Sequence, residues 1–175
     1  MQRLIAIVVV ALALAGCAAE YAPPGQPSFY ANLAQPGAKV DATAAASMIS
    51  GYRANNGQPA VTLDPHLMAM AEAQAAAMAK RDKLDHNAGK PFITRLKASG
   101  YDARLAAENI GAGYHTLAEA FSGWRDSPPH KANMLLRDAT RIGIATAYTP
   151  SSKYKVYWAF IIAAPDEKKA DEKKE

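Results

Sequence analysis

The apolar positions of this chain follow a helical period in one part of the sequence and a strand period in the next. Before residue 141 they recur every three to four positions, which is typical of amphipathic helices. From residue 141 onward they alternate with polar positions, which is typical of strands. Helices followed by a strand hairpin predict a mixed α/β layered fold with an antiparallel sheet.

Capping signals place the individual helices. Asp64 precedes Pro65, the favoured order at a helix start. The helix that follows carries an apolar face made of Leu67, Met68, Ala71, Ala75 and Met78. Thr116 and Glu119 have the spacing of a capping box. The predicted helices cover residues 41–56, 65–81, 91–99 before Gly100, 117–124, and a last one capped by Ser127.

The predicted hairpin closes the domain. Its strands run from Arg141 to Tyr148 and from Tyr154 to Ala163, and a Thr-Pro-Ser-Ser-Lys segment turns between them. Short alternating runs on either side of such turn-forming residues are the usual signature of paired strands.

The first seventeen residues have the organisation of an export signal. One positive charge at Arg3 precedes an apolar stretch from Leu4 to Ala15, and small residues lead to Cys17. This pattern predicts a secretory signal peptide over residues 1–16. The segment Leu-Ala-Gly-Cys resembles the lipobox of bacterial lipoproteins. The resemblance implies cleavage before Cys17 and lipidation of Cys17, which would then anchor the protein to a membrane.

Two other interpretations of Cys17 fit less well. An uncut membrane helix is disfavoured because the 12 apolar residues from Leu4 to Ala15 reach roughly 18 Å, against ~30 Å of hydrocarbon. A core cysteine is disfavoured because nothing near it resembles a domain, and a single cysteine excludes an internal disulfide. In Gram-negative lipoproteins, a residue such as Ala18 directs the protein to the outer membrane. The expected location is the cell envelope, facing the periplasm from the outer membrane in a Gram-negative organism.

Composition divides the rest of the chain. Residues 17–37 carry the lipidated cysteine and a Pro- and Gly-rich stretch that predicts a tether. Residues 38–165 are the predicted domain, and the charged residues 166–175 are predicted to be a disordered tail.

The net charge of +4 is small, and the basic residues are scattered along the sequence. Nucleic-acid binding is not expected without a basic stripe with interleaved aromatics.

Two of the four histidines lie in dense polar surroundings. His86 follows the long helix, and His130 lies on the first turn of the last predicted helix. Glu108 lies between them, 22 residues from each, before a glycine-rich strand or loop. Two imidazoles and a carboxylate suit a divalent metal such as zinc, or acid–base chemistry. Spacing alone does not show that they meet. His66 and His115 are expected to face solvent.

The same residues have structural interpretations. Glu108 can be a buried acid that holds the neighbouring backbone, and Asn109 can bond local backbone, as Asn does in turns. Ser127 suits a helix cap better than a nucleophile, and no Gly-x-Ser-x-Gly elbow indicates a serine hydrolase. The remaining candidates for the wall of a cleft are Tyr114, Trp124 and Asp126, together with Ser127 itself.

Four segments resemble consecutive motifs of the CAP superfamily, the SCP-like extracellular domain of cysteine-rich secretory proteins, antigen 5 and plant pathogenesis-related proteins. They are Leu84 to Asn87, Glu108 to Tyr114, Trp124 to Leu135, and Thr140 to Ile144. The resemblance covers about residues 47–163. It implies an α-β-α sandwich with a central, mainly antiparallel sheet and a large open cleft.

In that family the cleft is lined by two histidines and one or two acids. His86 and His130 match the histidine positions, and Glu108 matches the acid of the Glu-Asn-Ile motif. The second acid is replaced by Ser127, with Asp126 one residue earlier. The resemblance therefore implies a site of three residues rather than four.

The leading functional hypothesis is an envelope-anchored binding protein. Its cleft, with His86, Glu108 and His130, would bind zinc or another divalent cation, or a small amphiphilic or envelope-derived ligand. One alternative is a metal-assisted hydrolase of peptides or cell-envelope polymer, in which Glu108 activates the metal-bound water. Another is a structural or partner-binding lipoprotein with a vestigial cleft. The sequence contains no established catalytic set, so enzymatic activity is left open with binding preferred.

Overall fold

The computed structural model describes residues 25–166. The predicted signal peptide 1–16, the lipidation site Cys17 and the tail beyond Asp166 lie outside the described residues. The helices are α1 Ala42–Ala54, α2 Pro65–Arg81, α3 Phe92–Ala98, α4 Leu117–Asp126 and α5 Pro128–Met134, after a 3-10 turn at Ser28–Tyr30. The strands are β1 Thr62–Leu63, β2 Ala103–Ala112, β3 Arg141–Tyr148 and β4 Val156–Pro165. None of the helices in the described part of the chain is long and apolar enough to span a membrane.

The four strands form one mixed sheet in the order β1-β3-β4-β2. The predicted hairpin is confirmed, since β3 and β4 pair antiparallel from Arg141 opposite Ala163 to Tyr148 opposite Val156. β2 pairs antiparallel with the other side of β4, and the two-residue β1 is parallel to β3. The sheet is therefore mainly antiparallel, and β2 forms one of its edges.

Helices cover both faces of the sheet. On one face, Ile49 of α1, Trp124 of α4 and Met134 of α5 belong to a core cluster that includes Phe160 and Ile162 of the central strand. The cluster on the other face joins residues of α2, with Leu67, Ala71, Ala75 and Met78, to Tyr157, Ala159 and Ile161. This is the predicted α-β-α sandwich.

The central position of β4 in the sheet explains why its sequence is richer in apolar residues than that of a half-exposed strand. Every residue from Val156 to Ala164 is buried, because even-numbered side chains face α1, α4 and α5 while odd-numbered ones face α2. β2 was the element least visible in the sequence. Its polar residues, including Arg104, Glu108 and Asn109, interrupt the strand pattern, and the sequence predicted only a strand or loop around them.

Two predicted helix starts are confirmed in detail. Asp64 accepts hydrogen bonds from the backbone N–H groups of His66 and Leu67 at 2.9 and 3.1 Å. Thr116 and Glu119 form a reciprocal capping box at the start of α4. These side chains satisfy amide groups that have no partner inside their helices.

Close packing of α2 against β3 depends on one glycine. A Cβ atom at Gly143 would overlap the backbone of Leu67, which lies directly over the strand at this point. The motif Thr-Arg-Ile-Gly-Ile therefore has a packing reason for its glycine. The distance between helix and sheet on this face is set by backbone contact, and α2 ends in the loop that carries His86.

Arg53, in the last turn of α1, holds the chain between α5 and β3. It is fully buried, and its guanidinium donates to the carbonyl oxygens of Met134 at 2.8 Å, Leu136 at 3.0 Å and Ala139 at 2.6 Å. Its Nε donates to the carbonyl oxygen of Pro59 at 2.8 Å. Burial lowers the pKa of Arg53 below its usual range. The side chain fixes the C-terminal end of the helix that carries His130.

Residues 25–37, the described part of the predicted tether, contribute to the fold. Leu33 is buried in the core, and its backbone N–H donates to the carbonyl oxygen of His115 at 2.8 Å. Ser28 donates to the carboxylate of Asp41, the N-cap of α1, at 2.7 Å. Packed structure therefore begins before residue 38, and the Pro-rich segment does contain one short regular turn at Ser28–Tyr30.

Candidate functional site

The site is built on the edge strand β2. Successive residues of a strand point to opposite faces, so Glu108 and Asn109 diverge. Glu108 lies opposite Ile161 and Asn109 opposite Phe160 on β4. Both polar residues are buried, which means that each requires hydrogen-bond partners from elsewhere in the fold.

His86 supplies the first partner of Glu108. It lies in the loop after α2, which ends with Asp82 in the left-handed conformation at φ 48°. His86 Nδ1 is 2.8 Å from Glu108 Oε1. An ionised carboxylate only accepts hydrogen bonds, so the proton is on Nδ1. In the neutral ring, Nε2 is then left with its lone pair free.

Arg95 of α3 supplies the second partner. Its Nη2 donates to Glu108 Oε2 at 2.7 Å and to the carbonyl oxygen of His86 at 3.2 Å. The side chain of Glu108 is 2 % exposed and that of Arg95 is 10 % exposed, whereas that of His86 is 51 % exposed. The ion pair is therefore removed from water and the imidazole is presented to solvent. The sequence analysis did not predict Arg95 as a site residue. No feature of the sequence distinguishes it from the other lysines and arginines as the partner of a buried acid.

His130 reaches the same region from α5. Asn109 Nδ2 donates to the carbonyl oxygen of His130 at 3.0 Å. Asn133 Nδ2 donates to the side chain of Asn109 at 2.8 Å and to the carbonyl oxygen of Glu108 at 3.2 Å. The two asparagines thus join the first turns of α5 to β2 at the position of Glu108. The Glu-Asn and His-x-x-Asn segments of the motifs are therefore joined in one hydrogen-bonded network.

The electrostatics indicate that His130 and His86 are neighbours. Burial lowers the pKa of His130 below its usual value of 6.5, and the charge of His86 lowers it further. A charge on one ring therefore disfavours a charge on the other. His130 is neutral at pH 7, the form in which an imidazole can donate a lone pair.

The structure confirms Ser127 as the residue at which α5 begins. Ser127 occupies the N-cap position, but its side chain makes no capping bond. Its hydroxyl is instead 2.8 Å from His130 Nδ1. The side chain therefore orients the imidazole, as Glu108 does for His86, and Pro128 and Pro129 reduce the number of amide groups that need a cap.

The three other candidates for the cleft wall have different surroundings. Trp124 is 1 % exposed, and its Nε1 donates to the carbonyl oxygen of Ile110 at 3.3 Å, so it is a core residue. Asp126 is exposed and pairs with Arg125 at 2.7 Å. Tyr114 is half-buried and packs over Gly111 and Gly123, where a Cβ at position 123 would collide with its hydroxyl. Within residues 25–166, the hydrogen bonds of His86 and His130 involve none of these three side chains.

Among residues 25–166, no group of three or more His, Cys, Asp or Glu side chains is arranged to hold a metal ion. Glu108 does not fit as a direct ligand, because His86 and Arg95 occupy its two oxygens. The two imidazoles do fit, since each has Nδ1 engaged and neither Nε2 has a hydrogen-bond partner in the described part of the chain. A histidine that donates its other N–H to a carboxylate is the usual arrangement around a metal.

The order of these elements and motifs matches a known family. A model of the cysteine-rich secretory protein family, CAP, matches residues 46–162. The chain belongs to the CAP family. This confirms the family indicated by the motifs, and the α-β-α sandwich is the fold expected of a member.

In individual relatives, this domain is part of a longer chain. The YkwD protein of Bacillus subtilis is 29 % identical over 116 residues, which are 58 % of this chain and 45 % of that protein. An extracellular protein of Bacillus anthracis with an SCP domain superposes with a TM-score of 0.60 at 20 % identity, over 69 % of this chain and 39 % of its own. This chain thus spans less than half the length of either.

In another relative, the matched domain accounts for nearly the whole chain. An outer surface protein from Borrelia burgdorferi superposes with a TM-score of 0.64 at 19 % identity, over 74 % of this chain and 99 % of its own. At such identities the likeness to the solved structures concerns the fold alone.

Proposed function

We propose that this CAP protein is exported, anchored to the cell envelope through Cys17, and binds a divalent cation or a small envelope-derived ligand at His86 and His130. The observation that carries the proposal is the pair of imidazoles near the edge strand β2, each with its Nδ1 held and its Nε2 without a hydrogen-bond partner among residues 25–166. In this arrangement Glu108 orients His86 and does not bind the metal itself. The family resemblance had implied Glu108 as a third ligand.

Two imidazoles are fewer protein ligands than a zinc site normally has. Water or a bound ligand would complete the coordination, so the cation and the ligand belong to one site. Binding is favoured over metal-assisted hydrolysis, because a water-activating base must be free to accept a proton. Glu108 is held on both oxygens by its hydrogen-bonded partners.

Zinc titration by calorimetry tests the site in the full chain. The His86→Ala, His130→Ala double variant is expected to lose binding. The Glu108→Gln variant is expected to lose 10- to 100-fold in affinity, as is usual when a partner of a metal-binding histidine is removed. The matched control is the His66→Ala, His115→Ala double variant, since both of these histidines are exposed. Equal zinc affinity in the two double variants would overturn the metal proposal.

Anchoring is tested separately, because Cys17 lies outside the described residues. Mass spectrometry of the amino-terminal peptide of the protein, purified from bacterial membranes, is expected to show an acylated Cys17 and no residues before it. A Cys17→Ser variant is expected to appear in the soluble fraction. An unmodified cysteine in the membrane-purified protein would contradict the anchor. The extracellular and outer-surface names of the structural relatives support export without specifying a lipid.

A further inference from the structure

The sheet has a second edge, which β1 covers only at one end. β1 is two residues long and pairs with Arg141 and Ile142 of β3. From Gly143 to Tyr148, β3 has no neighbouring strand on that side within residues 25–166. The unpaired edge of a strand can be extended by a further strand.

Backbone groups of alternate β3 residues point toward this edge. The carbonyl oxygen of Ile142 accepts from the N–H of Asp64 at 2.9 Å on the β1 side, so the even-numbered residues point away from β4. Farther along, the carbonyl oxygen of Ile144 and both backbone groups of Thr146 and Tyr148 have no hydrogen-bond partner among residues 25–166. These groups are the donors and acceptors that a further strand would need.

A groove of about 310 Å³ gives access to these groups. We call it the β3 edge groove. It lies alongside residues 144–147, between a stripe of α2 at Met68, Glu72 and Ala76 and the segment at Lys39 and Val40. The three α2 residues are spaced four apart, so they share one face of the helix.

Within residues 25–166, the contacts that protect this stretch of the edge are weak. Ile144 N–H donates to Met68 Sδ at 3.3 Å, and a thioether is a weak acceptor. Val40 N–H donates to the hydroxyl of Thr146 at 3.3 Å, which leaves the backbone groups of Thr146 unused. The groove therefore exposes a strand edge that little in the described fold competes for.

Two charged side chains of opposite sign line the groove. Lys39 and Glu72 are both exposed, and neither has an ion pair within residues 25–166. A second copy paired edge to edge through Thr146 would bring the two Lys39 side chains together, since the neighbouring Val40 is bonded to Thr146, and like charges opposite each other are destabilising. A peptide with a base and an acid in adjacent positions is complementary to both, because successive side chains of a strand point to opposite faces.

We propose that the β3 edge groove binds an extended peptide segment of another protein, which adds a strand to the sheet beside β3. In this mode main-chain hydrogen bonds give affinity, and alternate side chains give specificity. The unpaired stretch of five residues corresponds to about 16 Å of strand, so a segment of about six residues fills it. The segment carries small apolar side chains toward α2, with a base at Glu72 and an acid at Lys39. The site is distinct from His86 and His130 and does not depend on metal binding there.

Fluorescence anisotropy of a labelled synthetic peptide tests the proposal. The probe is Val-Thr-Lys-Asp-Val-Thr with blocked ends, titrated with the full chain carrying Cys17→Ser, so that no acyl group is attached. The probe is expected to bind. The isomer Val-Thr-Asp-Lys-Val-Thr, with its charges exchanged, is expected to bind about threefold more weakly. The double variant Lys39→Glu, Glu72→Lys is expected to reverse this preference, and an unchanged preference would overturn the assigned complementarity.

Two N-methylated probes test the main-chain bonds. One is methylated at its odd-numbered amides and the other at its even-numbered amides, since only one set faces β3. One probe is expected to lose affinity about tenfold or more, and the other to bind normally. Equal affinity of the two probes would overturn strand addition.

Matched variants locate the site. Thr146→Pro removes an N–H donor and places its ring on the edge, and Ala76→Trp fills the groove from the exposed surface of α2; both are expected to abolish binding. The controls Ala106→Pro, on the outer side of β2, and Ala73→Trp, on another part of α2, are expected to bind normally. The His86→Ala, His130→Ala variant is also expected to bind normally, so failure of the zinc site leaves this result unaffected.

Three outcomes would overturn the proposal. The first is absence of probe binding, and the second is undiminished binding by Ala76→Trp. The third is a dimer, detected by sedimentation, that dissociates in Thr146→Pro, because a second copy would then be the occupant of the edge.

Discussion

Arg53 and Arg95 are both withdrawn from water, yet they have different kinds of partner. Within residues 25–166, the hydrogen-bond partners of the Arg53 side chain are all backbone carbonyl oxygens, on two separate stretches of chain. Arg95 makes an ion pair with a buried carboxylate, Glu108, and also holds the loop that presents His86. Arg53 donates to backbone carbonyl groups in irregular segments, where no helix or strand supplies a donor. Arg95 neutralises the charge of Glu108 at the candidate site.

The comparison shows that buried arginines have two different roles in this domain. One stabilises the fold, and the other stabilises the candidate site. Carbonyl groups in the irregular segment after α5 need donors, and a fully buried guanidinium offers five N–H groups in a fixed geometry. A buried carboxylate needs a cation, because an unpaired charge in the interior is costly. Both arginines position a histidine: Arg53 through the end of α5, and Arg95 through Glu108.

The largest effect is expected from Arg53→Met. Removing the guanidinium leaves several buried carbonyl groups without donors, each costing about 1–3 kcal/mol, so the free energy of unfolding should fall by roughly 3–5 kcal/mol. Urea unfolding followed by circular dichroism measures this. Arg53→Lys should lose less, because an ammonium still has three donors. The control Arg137→Met, at an exposed position, should stay within about 0.5 kcal/mol. A similar small change for Arg53→Met would break the comparison.

Arg95→Met is expected to have the next largest effect. It leaves Glu108 buried without its cation, and the unfolding free energy should fall by roughly 2–4 kcal/mol. Adding Glu108→Gln should recover part of the loss, since the amide removes the uncompensated charge. A double-mutant cycle on urea unfolding measures the coupling between the two residues. Simple additivity of the two losses would show that the ion pair is not what stabilises this region.

The pH dependence of His130 sharpens the electrostatic side of the comparison. Its pKa is lowered in the folded state by burial and then by His86. The unfolded chain therefore takes up the proton first. The contribution of His130 to the unfolding free energy is fully present above about pH 6.5. It is lost as the pH falls from there through the folded-state pKa.

An NMR titration of metal-free protein measures this pKa directly. The midpoint for His130 is expected below 6.5. In His86→Ala it should rise only part of the way back, because burial is the larger cause and remains. A midpoint at or above 6.5, or full recovery in His86→Ala, would contradict this account of the site.

The smallest effect is expected from Asp41→Ala, at the start of the helix that carries Arg53. The carboxylate accepts from the backbone N–H of Ala44 at 2.9 Å and from Ser28, and these bonds lower its pKa. Losing an N-cap costs about 1 kcal/mol, measurable as a lower melting temperature. Asp41→Asn keeps an acceptor oxygen and should lose less. Equal losses in both variants would show that the charge, rather than the cap, contributes the stability.

Several elements followed directly from local sequence. Asp64 with Pro65, and Thr116 with Glu119, cap helices through groups only two or three residues away, so their short-range pattern was sufficient. The β3–β4 hairpin was also predictable, because its turn residues and its two strand segments are contiguous. The alternation predicted for β4 is absent, since every residue from Val156 to Ala164 is buried. β2 was hidden, since the partners that satisfy its polar residues come from α3, α5 and the loop after α2.

The features of the candidate site also fall into two groups, those that the sequence predicted and those that only the structure showed. The sequence by itself determined the family and the layered fold, and it predicted His86, Glu108 and His130 as site residues, because these rest on motifs and on local periodicity. Only the tertiary structure decided that Arg95 neutralises Glu108, and that the side chain of Ser127, the N-cap residue of α5, lies within hydrogen-bonding distance of His130 Nδ1. The reason is physical. A buried charge is stabilised by whichever partner the fold brings near, and no spacing along the chain specifies that partner.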